Sequence, residues 1–199
     1  MITAIDPHTA LILIDLQKGI LSAATAHPVS EIIANSARLI AAFKAKALPV
    51  VIVNVNPVGS PAMKTRSEQS MLPKDEAGQQ KALDGMIASG FFDIVPEIQA
   101  GPDDIMITKH CWNAFADTPL HELLKTRGIT GIVLGGVATS IGVESTARAA
   151  NEKGYNISFA TDAMTDRILE AHQHSQKIIF PRIGESGTTN EIIEVLNRS

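Results

Sequence analysis

The sequence predicts a single doubly wound α/β domain, with a mainly parallel sheet of about six strands and helices on both faces. Three observations carry this. Apolar runs of strand length alternate with amphipathic stretches of helix length, the pattern that βαβ crossovers produce. The run Ala10–Ile14 is apolar throughout and Ile129–Leu134 is interrupted only by Thr130, as strands covered on both faces are. A chain of 199 residues suffices for one such domain and can bury a full core without staples, so residues 1–199 are read as one domain.

Ala10–Ile14 is the first strand. Pro28 to Ala47 follows as a helix, with Ser30 as N-cap and Ile32, Ile33, Ala37, Ile40 and Phe43 near one face. Pro49 to Val55, rich in β-branched residues, is the second strand. Asn56 to Lys81 holds Pro57, Gly59, Pro61, Pro73 and Gly78 and reads as one long loop, of the kind that is functional or mobile in a compact domain. Phe91 to Glu97 is irregular or extended. Asp104 to Thr108 is the third strand, ending at Lys109. Pro119 to Arg127 is a short helix closed by Gly128. Ile129 to Leu134 is a strand that Gly135 and Gly136 end. Ser140 to Lys153 is a helix stopped by Gly154, Tyr155 to Ala160 a strand, Ile168 to Ile179 a helix and Glu191 to Leu196 a last helix capped by Thr188 or Thr189.

Hydrophobic residues make up 45% of the chain, which argues against disorder. The formal net charge is -4 and no block of Lys or Arg forms a stripe, so nucleic acid is not an expected partner. Cys111 is the sole cysteine, which excludes an internal disulfide and fits a reducing cytoplasm. The first apolar run stops at Asp15, too short for a signal or a membrane span, so no membrane association is expected.

In open parallel sheets, ligands bind beyond the carboxyl ends of the strands. Asp15 follows the first strand, where partial desolvation raises a carboxyl pKa unless a cation offsets it; the ordinary role of an Asp there is a helix cap. Lys109 ends another strand and brings a second charge to the same edge; the usual lysine is on the surface. Gly135-Gly-Val-Ala-Thr-Ser-Ile-Gly142 joins a strand to a helix through small residues, either as an anion-facing backbone or as a tight turn that needs glycine. Its glycine spacing matches neither the dinucleotide fingerprint nor the P-loop, so no nucleotide cofactor is expected.

Together these elements resemble the isochorismatase-like hydrolases over nearly the whole chain. The resemblance is carried by Leu11-Ile-Leu-Ile-Asp15-Leu-Gln17, by Ile107-Thr-Lys109-His-Cys-Trp-Asn-Ala-Phe115, by Gly136-Val-Ala-Thr-Ser-Ile-Gly-Val-Glu-Ser-Thr-Ala-Arg148 and by Thr161-Asp-Ala163. It implies the first two members of an Asp–Lys–Cys triad at Asp15 and Lys109, with Gly142 at the position of the nucleophilic Cys. Glycine has no nucleophile, so the family's thioester route is absent there. Isochorismatases proper, which hydrolyse a vinyl ether, resemble the chain in carrying Gly at this point, but usually have Tyr where it has Ala138. The resemblance further implies a cis peptide at Val137–Ala138, with the Ala138 and Gly142 N–H groups facing the site. By family position Gln17, Trp112 and Phe115 line the pocket, although core packing is an equal reading for the two aromatics. Arg66 is a candidate partner for an acidic substrate, against the usual solvated arginine.

Nicotinamidase-like relatives bind a metal through Asp and His after the second strand. The chain has Asn54, Val55 and Asn56 there, so no metal site is expected. The leading expectation is a small-molecule hydrolase in which Asp15 is general acid or base, Lys109 its electrostatic partner, and water attacks a vinyl ether or related bond. Two alternatives stand beside it: a noncatalytic binding protein that lost its nucleophile, and an amidase using Cys111. Free cysteine is most often a small buried hydrophobe. The resemblance also implies a homo-oligomer, a dimer or larger.

Overall fold

The computed structural model describes residues 2–61, 65–66, 68 and 72–198. Among these, six strands form one parallel sheet: β1 (Thr9–Ile14), β2 (Val50–Val55), β3 (Ile105–Lys109), β4 (Gly131–Val137), β5 (Asn156–Thr165) and β6 (Glu185–Gly187), in the order β3-β2-β1-β4-β5-β6. Direction along the sheet reverses between β1 and β4, which pair with Ile14 opposite Gly136. That is the switch point where such sheets open a crevice.

Side chains alternate along β1. Ala10, Ile12 and Ile14 pack on one face with Leu120 and Leu124 of α4 (Leu120–Thr126) and Ala147 and Ala150 of α5 (Glu144–Glu152). Leu11 and Leu13 pack on the other with Leu21 of the short α1 (Lys18–Leu21), Ile32, Leu39, Ile40 and Phe43 of α2 (Val29–Ala45) and Ile192 and Leu196 of α7 (Thr189–Arg198). Each face buries its own helix layer, the doubly wound arrangement expected from strands apolar on both sides. Among the described residues no helix is long and apolar enough to cross a membrane.

Several local expectations are corrected. Helix α2 starts at Val29, not around a Ser30 cap, because Pro28 accepts the Glu31 and Ile32 N–H groups on its carbonyl and enters the helix earlier. The expected Asn56–Lys81 loop is shorter: α3 (Glu76–Ala88) begins within it, capped by Asp75, whose carboxylate accepts the Gly78 N–H at 2.8 Å. Residues 62–64, 67 and 69–71 of that stretch lie outside the described residues. Gly135 and Gly136 do not end β4 but lie inside it. Gly136 has φ +113°, and a Cβ there would run into the Ile14 backbone, so glycine permits the close β1–β4 approach. Strand β5 continues past Ala160 to Thr165 across a register shift opposite Leu134 and Gly136. Strand β6, only Glu-Ser-Gly, carries no apolar signal and was not expected. Thr188, rather than Thr189, caps α7: its hydroxyl accepts the Glu191 N–H and its own N–H donates to Glu191 Oε2. Thr189 and Asp162 bond instead to one another, fastening α7 to β5.

Candidate active site

Asp15 follows β1 immediately and is held at φ 52° while its N–H donates to the Val53 carbonyl at 2.9 Å. A left-handed backbone is uncommon for a residue other than glycine, and it turns the carboxylate out of the strand's alternation. Lys109 ends β3, two strands away, level with Val55 of the intervening β2. Its long side chain reaches across the end of β2, and its Nζ donates to Asp15 Oδ2 at 2.8 Å and to the Cys111 carbonyl at 3.1 Å.

The pair is 5% and 2% exposed. Asp15 Oδ1 is buried and has no hydrogen-bond partner among the described residues. Burial pushes the Asp15 carboxyl up to about 6, against the charge and hydrogen bond of Lys109, which pull it down. A proton on Asp15 therefore belongs on Oδ1, since Oδ2 already accepts from the ammonium.

The third element follows β4. The Val137–Ala138 peptide bond is cis, and Thr139–Val143 forms a single wide π-type turn leading into α5. The expected Ser140–Lys153 helix is thus regular only from Glu144. A Cβ built on Gly142 would lie 3.4 Å from Asp15 Oδ2, so this position adjoins the ion pair. It would also lie 2.8 Å from Ile14 Cγ2, tighter than ordinary packing allows.

The remaining candidates divide. Gln17 is fully buried, and its amide is spent on Val55: Nε2 donates to the carbonyl at 3.2 Å and Oε1 accepts the N–H at 2.7 Å. It acts as a brace between the ends of β1 and β2. Phe115 packs in the core and stacks on Tyr155 at 5.9 Å between centroids. Trp112 is 63% exposed, and Arg66 is also exposed. Cys111 is partly buried, with its Sγ donating weakly to the Asn113 carbonyl at 3.5 Å. Among the described residues no three His, Cys, Asp or Glu side chains converge as a metal site would require.

Reading the sequence missed a second layer. The Ser140 N–H and hydroxyl both donate to Asp166 Oδ2 at 2.8 Å, while the Arg167 and Ile168 N–H groups donate to Oδ1. Thr139 bonds His172. The available signal was Asp166 itself, a charged residue at the carboxyl end of β5.

Comparison with known proteins follows the same lines. A family model described as an isochorismatase domain matches residues 9–191. An uncharacterized isochorismatase family protein of Bacillus subtilis is 40% identical over 190 residues, covering 94% of this chain and 93% of that one. A ureidoacrylate amidohydrolase of Methylobacterium radiotolerans is 32% identical over 173 residues, or 76% and 65% of the two chains. The solved structure of an isochorismatase family protein from Burkholderia thailandensis is 33% identical, with a TM-score of 0.84 over 99% of this chain and 100% of that chain.

Proposed function

The chain belongs to the isochorismatase family of hydrolases, and from that premise we propose that it hydrolyses a small molecule without a cysteine nucleophile. Asp15 is the general acid and base, Lys109 its electrostatic partner, and water the attacking group.

One observation carries this reading. At the switch point stands a carboxyl with one oxygen held by a buried ammonium and the other buried and without a partner among the described residues, and Gly142, which the resemblance aligns with the nucleophile position, adjoins it. A carboxyl that titrates near 6 can hold a proton and release it close to neutral pH. In a vinyl ether, the Asp15 proton goes to the terminal carbon, the double-bond pair forms the new C–H bond, and the other carbon becomes an oxocarbenium ion. Water adds there and returns a proton to Asp15. The hemiketal then collapses to a ketone and the alcohol. Lys109 holds the carboxylate in place between the two transfers and stabilises its charge. The Ala138–Gly142 backbone faces a carbonyl or carboxylate of the substrate.

The retained ion pair speaks against a noncatalytic binder, because buried charges are costly to keep without a use. Cys111 is a poor nucleophile candidate, because no base is paired with its thiol among the described residues and its hydrogen bond runs to a carbonyl. The test incubates the protein with isochorismate, chorismate and simpler enol ethers, and with a panel of amides, while ketone and ammonia release are followed. Enol ether turnover that survives Cys111→Ser supports the proposal. Amide turnover abolished by Cys111→Ser or by iodoacetamide replaces it with the thiol mechanism, and ligand binding without any turnover replaces it with the noncatalytic one. The same reading includes a homo-oligomer in the cytoplasm, which sedimentation at several concentrations tests for assembly.

A further inference from the structure

Behind the turn runs a buried polar chain that the proposed chemistry does not use. His172, on α6 (Leu169–His174), is buried. Its Nδ1 is 2.8 Å from Thr139 Oγ1, and its Nε2 is 3.0 Å from Gln176 Nε2. The same Gln176 nitrogen donates to the Thr161 carbonyl at 3.4 Å. A carbonyl accepts only a donor, so that nitrogen is the amide NH2. His172 Nε2 must then accept from it. The single proton of the neutral ring is left on Nδ1, where it is donated to Thr139.

Thr139 is fully buried and directly follows Ala138. Its side chain is tied to α6 by His172, and the next residue, Ser140, is tied to Asp166 beyond β5. The turn beside Asp15 therefore hangs from two anchors. We propose that His172 is a positioning residue for this active site: as the neutral Nδ1–H tautomer it fixes Thr139, and through it the Ala138–Gly142 turn. The inference rests on reading that turn as part of the active site.

Protonation breaks the chain. An imidazolium at 172 would turn an N–H toward the Gln176 NH2, and its charge would face the His27 ring, 4.6 Å away between centroids. His27 itself is bonded to Thr165 Oγ1. Of the carboxylates around α6, Asp166 favours the charged ring, and Glu144 on α5 takes a hydrogen bond from Ser175. His174 is exposed. Burial and His27 outweigh Asp166 and hold His172 below the ordinary imidazole value. The active form thus combines a protonated Asp15 with a neutral His172.

The test uses two variants and a spectrum. His172→Phe keeps a ring and removes the donor; His172→Asn keeps an amide donor and removes the titration. Long-range proton–nitrogen spectra of protein labelled at histidine nitrogen, compared with His172→Asn for assignment, should show a wild-type ring protonated on Nδ1 and bare on Nε2. The Thr139 and Ser140 amide signals should shift in step with that ring as pH falls. With an enol ether substrate, His172→Phe should lower kcat about 10- to 100-fold with KM little changed. His172→Asn should recover most of kcat and lose the acid limb of the pH profile. An Nε2–H tautomer, turn amides that ignore the ring, or an acid limb retained in His172→Asn would each overturn the proposal. The spectra need neither substrate nor the Phe variant, so they decide the positioning role even if no enol ether is turned over or that variant fails to fold.

Discussion

Ile14 Cγ2 stands where a side chain at Gly142 would have to begin, 2.8 Å from an ideal Cβ. The packing around Gly142 therefore leaves no ordinary room for a side chain. Gly142→Cys should destabilise the fold by about 1–3 kcal/mol through overpacking. Adding Ile14→Ala, which removes Cγ2, should relieve part of that cost. A double-mutant cycle from urea midpoints should give a favourable coupling between the two positions of about 0.5–3 kcal/mol. Additive effects would show that the contact is not felt.

Asp15 makes stability depend on pH in a defined direction. Its folded carboxyl titrates at about 6, above the ordinary aspartate value of 3.8. Between those values the unfolded chain binds fewer protons than the folded one, so stability falls as pH rises. The contribution is fully present below about pH 4, is lost through pH 6 and is on the order of 3 kcal/mol. Urea unfolding of wild type and Asp15→Asn across this window should show a slope in the first that is missing in the second.

Lys109→Met should act on both stability and titration. Removing one partner of a buried pair costs about 3–5 kcal/mol when the other stays charged. Lys109 lowers the Asp15 pKa, so its loss should move the alkaline limb of any pH–rate profile above about 6. An unmoved limb would mean that another group sets it.

Gln17 should behave as a structural brace. Gln17→Leu leaves the Val55 N–H and carbonyl without their side-chain partner, which costs about 1–3 kcal/mol for buried groups. At temperatures where the variant stays folded, KM should change little. A large change in KM with unchanged stability would return Gln17 to the pocket.

β1 and β4 were legible because burial on both faces writes them as apolar runs, and Asp15 and Lys109 were legible because each brings a charge to the carboxyl end of a strand. What failed to show depends on partners distant in sequence. Glu185–Gly187 is a strand only because β5 offers it an edge, and Gly136 extends β4 rather than ending it because Ile14 passes so close. Phe115 was expected in the pocket from the resemblance alone; it packs in the core, stacked on the Tyr155 ring forty residues on. His172 gave no signal beside His174, since its meaning lies in Thr139 and Gln176.

The most direct measurement follows the ketone product of an enol ether in heavy water, for wild type, Asp15→Asn and Cys111→Ser. With Asp15 as acid, wild type and Cys111→Ser should form a methyl ketone carrying one solvent deuteron on the methyl carbon. Asp15→Asn should be slower by about 10²–10⁴-fold, the usual range for a lost general acid. Full activity in Asp15→Asn, or turnover that vanishes in Cys111→Ser, would contradict the account.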